Sequence, residues 1–129
     1  MSYSATIDVD DLERGVRFYC HVFGFREAAR PMPIYAVLDT GGQRLGIMEK
    51  PAGSRPSPAT DDLRRYERHW TPVHLDFEVT DIDATLARLK EEGGTVETLH
   101  PGTETRPAVA FCADAFGNGL CILGPRSGR

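Results

Sequence analysis

The sequence predicts an α+β fold made of two βαβββ modules, and three observations predict it. The halves repeat: Ser4-Ala5-Thr6-Ile7-Asp8-Val9 lies over His74-Leu75-Asp76-Phe77-Glu78-Val79, and the same 70-residue offset pairs Asp11 with Asp81, Leu12 with Ile82, Val16 with Leu86, Gly24 with Gly94 and Glu27 with Glu97. Self-similarity at a fixed offset marks a duplicated supersecondary unit. Each copy opens on strict apolar and polar alternation, the period of a strand with one packed face. Each alternating run then leads into a helix signal and three further extended runs.

In the first strand Ala5, Ile7 and Val9 point one way and Ser4, Thr6 and Asp8 the other; in its copy Leu75, Phe77 and Val79 oppose His74, Asp76 and Glu78. Asp10-Asp11-Leu12-Glu13 and Thr80-Asp81-Ile82-Asp83 each set a capping residue three before an acid, the pattern that satisfies free amides at a helix start. The helices carry apolar stripes at three- to four-residue steps, Leu12, Val16, Tyr19 and Phe23 in one and Ile82, Leu86 and Leu89 in the other. Gly24 and Gly93-Gly94 end them, where a left-handed residue is wanted. Residues 25–28 and 95–99 read as the next strands. Residues 34–39 and 44–49 flank a Gly41-Gly42 turn, and residues 108–113 and 120–123 flank Phe116-Gly117-Asn118-Gly119, so each pair reads as a hairpin. The expected organisation is one domain over residues 1–129, with module one at about 4–49, a linker at about 50–72 and module two at about 73–124. The linker holds Pro51, Pro56, Pro58 and Pro72, then a short polar helical stretch over 61–69. It is longer than a connection requires and reads as either a cover for a cavity mouth or a passive connector.

The 129 residues, 40% hydrophobic and 26% charged, contain no apolar run approaching a membrane span, and Met1-Ser2-Tyr3-Ser4 lacks a signal-peptide pattern, so a cytoplasmic chain is expected. Cys20, Cys112 and Cys121 are an odd count without CxxC spacing, which indicates neither a disulfide framework nor a zinc knuckle. A net charge of −4 argues against a nucleic-acid partner or an anionic membrane surface. Arg64, Arg65 and Arg68, set among Asp61, Asp62 and Glu67, read as a solvated helix face; Arg126 and Arg129 form a second small basic group. There is no GxSxG, GxxxxGK[ST], HExxH or strand-linked GxGxxG, so no nucleotide or hydrolase motif is present.

The paired modules, the glycine after the first helix, the Val73-to-Asp81 strand and the Asp114-Ala115-Phe116-Gly117-Asn118 turn resemble the vicinal oxygen chelate superfamily over residues 4–123. Glyoxalase I, bleomycin and fosfomycin resistance proteins, methylmalonyl-CoA epimerase and extradiol dioxygenases belong to it. The resemblance implies modules curled into cups with helices on the outer face, and a homodimer closing the cups around a small organic ligand. In metal-dependent members one ligand comes from the first and one from the last strand of each module. Those positions fall here on Ser4, about Gly46, His74 and Cys121, and only His74 is a usual ligand type. Met48 shares the parity of Gly46 and Glu49 opposes it. The expectation is therefore no metal and no cofactor, with an atypical divalent ion at His74 as the alternative.

His74 is a candidate general base on the polar face, or a hydrogen-bonded interior histidine, or a vestigial ligand. Asp76, nearer the strand centre than Glu78, is the second catalytic candidate. Cys121 could join His74 on a soft metal or simply pack; Cys20 and Cys112 read as packing residues. Arg44 reads as an anion anchor or a rim charge. Met48, Tyr35 and Trp70 could supply apolar walls, with room for a planar ligand over Gly46. The candidate ligand-binding set is thus Ser4, Arg44, Gly46, Met48, His74, Asp76 and Cys121. His69 and His74 fall on opposite sides of an extended segment, His21 on the outer half of a helix and His100 in a turn, so none pair as ligands. Two functions fit: a metal-free protein that sequesters a small organic molecule, or a lyase, isomerase or dioxygenase centred on His74. A protein-interaction surface on a sheet edge or the linker is a third.

Overall fold

A computed structural model of the chain describes residues 1–127; Arg129, grouped above with Arg126, lies outside the described residues. The chain divides into two compact units, the first ending at Glu67 and the second beginning at Arg68. The first contains β1 (Ala5–Val9), α1 (Leu12–Phe23), β2 (Arg26–Met32), β3 (Tyr35–Asp39) and β4 (Arg44–Glu49). Its four strands run in the order β1-β4-β3-β2, with β1 parallel to β4 and the other pairs antiparallel. The second contains β5 (Leu75–Glu78), α2 (Ile82–Glu91), β6 (Thr95–His100), β7 (Pro107–Ala113) and β8 (Gly119–Arg126), ordered β5-β8-β7-β6 with β5 parallel to β8. Both units are βαβββ and the class is α+β. His100 ends β6 rather than sitting in a turn. Among the described residues, no helix is long and apolar enough to cross a membrane.

The helix starts are one residue later than the expected boxes. Asp11 and Asp81, not Asp10 and Thr80, take the extended cap conformation, and their carboxylates accept from Arg14 N at 3.1 Å and Ala84 N at 3.0 Å. A second free amide of α1 is met from the sheet, where Glu49 Oε2 accepts from Leu12 N at 3.0 Å. Gly24 closes α1 at φ 75°, donating its amide to Cys20 O at 2.9 Å.

The buried stripe of α1 is Leu12, Gly15, Phe18, Tyr19 and Val22, whereas Val16 and Phe23 are only half-buried. Gly15 is the cause. A Cβ there would stand 3.0 Å from the side chains of Val9 and Ile47, so the helix settles on its glycine and turns the stripe toward Phe18 and Val22. Each fully buried side chain of this size contributes about 1.5–3 kcal/mol of transfer free energy. In α2 the stripe holds at Leu86 and Leu89, joined by Thr85, whose hydroxyl donates to Asp81 O at 2.8 Å.

The helix expected over 61–69 does not form. Gly53 N donates to Arg64 O and Arg64 N to Ser54 O, both at 2.8 Å, so distant partners replace the i−4 bonds of a helix. The Arg64 guanidinium then reaches Asp8 Oδ2 at 2.8 Å, Ser54 Oγ at 3.2 Å and Arg55 O at 2.9 Å. Tyr66 OH donates to Lys50 O at 2.7 Å. The arginine group is therefore not a solvated helix face, since the Arg64 side chain is only 15% exposed.

Candidate functional site

In each sheet, register decides which side chains share the face away from the helix. In the first unit Thr6 lies beside Gly46 and Asp8 beside Met48 across the parallel pair, and Val37 and Tyr35 lie beside the same two residues across the antiparallel one. Alternation along each strand puts all six on one face. The space over Gly46 is not open to a planar ligand: a Cβ there would be 2.8 Å from both Thr6 Oγ1 and Tyr35 Cε1 and 2.9 Å from the Tyr35 hydroxyl. The tyrosine lies on the glycine. Asp8 beside it is engaged by Arg64. Ser4 is exposed just before β1, Arg44 is exposed at the start of β4 opposite Asp39, and Met48 is half-buried.

The second unit keeps its equivalent face accessible. Leu75 and Phe77 are half-buried and pair with Leu120 and Ile122, while His74, Asp76 and Glu78 are exposed. Asp76 lies beside Cys121, which in turn lies beside Phe111, so a carboxylate, a thiol and a phenyl ring follow one another across β5, β8 and β7. His74 Nε2 is 3.3 Å from Asp76 Oδ1, with the two side chains 51% and 53% exposed. Cys121 is buried, and burial, the neighbouring Asp76 charge and a hydrogen bond to that carboxylate all push its thiol pKa up. Burial likewise pushes Cys112 up to about 11, with help from the Cys121 and Glu97 charges. Both thiols are protonated at neutral pH. Cys112 is buried, as expected for a packing residue, Cys121 is buried too, and Cys20 is half-buried.

A cavity of about 140 Å³ opens beside this row, walled by Trp70, Thr71, His74, Phe111, Gly119 and Cys121 among others. Arg68 and Glu97 form one side of it. Arg68 Nε and a terminal nitrogen reach the two Glu97 carboxylate oxygens at 2.8 and 3.2 Å, a forked pair, and another nitrogen donates to His69 O. The guanidinium lies over Gly119, where a Cβ would meet its nitrogens at 2.9 Å. The end of the linker, through Arg68, Trp70 and Thr71, thus lines the cavity. The turn before β8 leads directly into the strand that carries Gly119, Leu120 and Cys121 to the cavity. Buried Asp114 accepts from Phe116 N at 2.8 Å and Asn118 N at 2.9 Å through one oxygen and from Asn118 Nδ2 at 3.0 Å through the other.

The four strand positions that hold a divalent ion in metal-dependent relatives are poorly furnished here. Ser4 offers one hydroxyl and Gly46, under Tyr35, offers no donor, so the usual set of hard ligands does not fit these residues. In the second unit His74, Asp76 and Cys121 do come together, with donor atoms all within 4.8 Å of one another. The sequence singles out these three and Trp70. It does not disclose Phe111, Thr71 or the Arg68–Glu97 fork; only the position of Phe111 opposite Cys121 in the hairpin could have signalled the first.

Residues 4–123 match the family model described as a glyoxalase-like domain. No curated protein matches the chain at a significant level. Among solved structures, the genomically encoded fosfomycin resistance protein FosX from Listeria monocytogenes is similar at 17% identity and TM-score 0.71, over 98% of this chain and 94% of that one. A glyoxalase/bleomycin resistance protein from Albidiferax ferrireducens T118 is similar at 22% identity and TM-score 0.67, over 94% and 95% of the two chains. A lactoylglutathione lyase from Agrobacterium tumefaciens is similar at 19% identity and TM-score 0.64, over 96% and 92%. At these identities the structural likenesses speak for the fold, while the family match covers nearly the whole chain. The chain belongs to the glyoxalase-like domain family of the vicinal oxygen chelate superfamily.

Proposed function

We propose that this protein binds a small organic molecule through an aromatic ring seated in the second unit's cavity, without the usual divalent metal site. The observation that carries the reading is the cavity between Trp70 and Phe111, whose volume of about 140 Å³ is close to that of an engineered protein cavity that takes benzene, roughly 150 Å³. Phe111 is 45% exposed and Trp70 79% exposed, which leaves their rings available to a ligand. The adjoining Thr71 hydroxyl and His74 imidazole supply directional polar contacts. Arg68 is engaged by Glu97, so this wall favours a neutral or weakly charged ring over a polyanion. The superfamily resemblance adds a homodimer to the reading.

Trp70 is the only tryptophan, so its fluorescence reports directly on the cavity. Titration of the chelator-treated protein with phenol, catechol, benzylamine and benzoate should give a saturable change with at least one ring. Phe111→Ala should weaken that binding roughly 2- to 10-fold, the equivalent of the 0.5–1.5 kcal/mol an aromatic pair contributes. A flat or linear response to all four compounds would overturn the reading. A second reading, acid–base chemistry, is favoured by the His74 to Asp76 contact. Turnover of a glutathione hemithioacetal, an epimerisable thioester or a catechol, abolished in His74→Ala, would establish it.

A further inference from the structure

We propose that His74, Asp76 and Cys121 form a three-donor site for a borderline-soft divalent ion of the zinc or cobalt class, contained within the second unit. This goes beyond the ring-binding reading, which needs no ion. It also differs from the four-position set described above, because it takes nothing from the first unit and recruits Asp76, which is not one of those positions.

Two features of the sheet bring the donors together. His74 immediately precedes β5 and Asp76 lies within it, and their side chains meet with His74 Nε2 3.3 Å from Asp76 Oδ1. The parallel register then sets Asp76 directly beside Cys121 of β8. One imidazole nitrogen, one carboxylate oxygen and one sulfur consequently lie within 4.8 Å of one another. Around a tetrahedral ion with bonds of about 2.0–2.3 Å, donors stand roughly 3.3–3.8 Å apart, a contraction that rotation of the side chains can supply. His74 and Asp76 are half-exposed and able to make it. Cys121 is buried in a central strand and provides the fixed point.

The donor set decides the ion. Cys121, protonated in the free protein, releases its proton to solvent as the ion binds, so affinity rises with pH. The resulting thiolate and an imidazole suit zinc or cobalt, whereas magnesium and manganese prefer oxygen-rich octahedra that a single carboxylate cannot supply. Three protein ligands leave the fourth tetrahedral position open. His74 and Cys121 also line the cavity between Trp70 and Phe111, so a metal-bound water or a ligand heteroatom would sit beside the proposed ring site.

The test titrates the untagged full chain, stripped with chelator, with cobalt(II), zinc, manganese(II) and magnesium. Cobalt should bind at one ion per chain with a thiolate-to-cobalt charge-transfer band, and zinc should displace it. Cys121→Ser should remove the band. His74→Ala and Asp76→Asn, both changes at half-exposed side chains and expected to leave the circular dichroism spectrum unchanged, should each weaken zinc by more than the roughly 10- to 100-fold that loss of an outer-sphere partner costs. Substoichiometric cobalt, a band that survives Cys121→Ser and so reports Cys20 or Cys112, or zinc binding indifferent to both His74→Ala and Asp76→Asn would overturn the proposal. If Cys121→Ser fails to fold, the other two variants decide. Running the Trp70 titration with and without zinc separates this site from the ring site, since either can fail while the other stands.

Discussion

Replacing Asp114 tests whether one buried carboxylate sets the turn that delivers Cys121 to its neighbours. The residue is 3% exposed, and its carboxylate accepts hydrogen bonds from Phe116 N, Asn118 N and Asn118 Nδ2. A hydrogen bond to a charged group contributes about 1.5–3 kcal/mol, and a buried donor left without a partner costs about 1–3 kcal/mol. In Asp114→Ala the two Asn118 donors, only part-buried, regain water, while the amide of buried Phe116 does not. Counting that bond in full and the other two at a fraction gives about 3 kcal/mol. For a chain of this length that corresponds to a fall in Tm of roughly 9–15 °C. Asp114→Asn keeps one oxygen for the two backbone amides and loses the side-chain bond, so about 1 kcal/mol is expected. Thermal melts and urea titrations of the two variants provide the measurement. Alanine within about 1 kcal/mol of wild type, or asparagine as costly as alanine, would refute the accounting and leave the turn to its Gly117 at φ 82°.

Arg64→Met should release the linker from the first unit: loss of the contacts to Asp8, Ser54 and Arg55 is expected to cost about 1–2 kcal/mol, since Asp8 is 38% exposed and rehydrates. Limited proteolysis should then cut within residues 51–63 faster than in wild type, and equal rates would count against the anchor. Cys112 carries a signed alkaline prediction. Burial holds its folded pKa at about 11, above the ordinary 9.0 of a free thiol, so its contribution to stability is fully present below pH 9 and is lost as pH rises from 9 toward 11. Urea midpoints across that range should fall more steeply for wild type than for Cys112→Ala, and parallel slopes would contradict the assignment.

Periodicity and punctuation made the architecture legible. Alternation located β1 and β5, glycines bounded the helices, and the Gly41-Gly42 and Phe116-to-Gly119 turns placed the hairpins. What escaped were choices made by tertiary contact. The linker arginines look like an exposed helix face until Arg64 finds Asp8, a partner 56 residues away. Gly15 carries no signal in the sequence, yet a Cβ there would stand 3.0 Å from the side chains of Val9 and Ile47. At the site, the parity of His74 and Asp76 along one strand could be read, because a strand fixes it. The side chain over Gly46 could not, because Tyr35 pairs with Met48 and reaches the glycine diagonally, a side-chain choice that strand parity does not fix.

The duplication sharpens what the differences mean. Thr6 and Asp76 are equivalent by the repeat, and each lies beside the β4 or β8 residue that faces it, Gly46 in one unit and Cys121 in the other. One backbone plan thus carries two chemistries: a glycine under a tyrosine ring, and a thiol beside a carboxylate and an imidazole. The linker reinforces the asymmetry because it exists only once. Its middle portion ties Arg64 to Asp8 on the polar face of the first unit, while its end lays Arg68 over Gly119 and brings Trp70 and Thr71 to the cavity of the second. A segment present in a single copy cannot treat two equivalent faces alike. Its placement engages Asp8 on one and walls a recess on the other, which is why the functional proposals for this protein concentrate on residues 68–121.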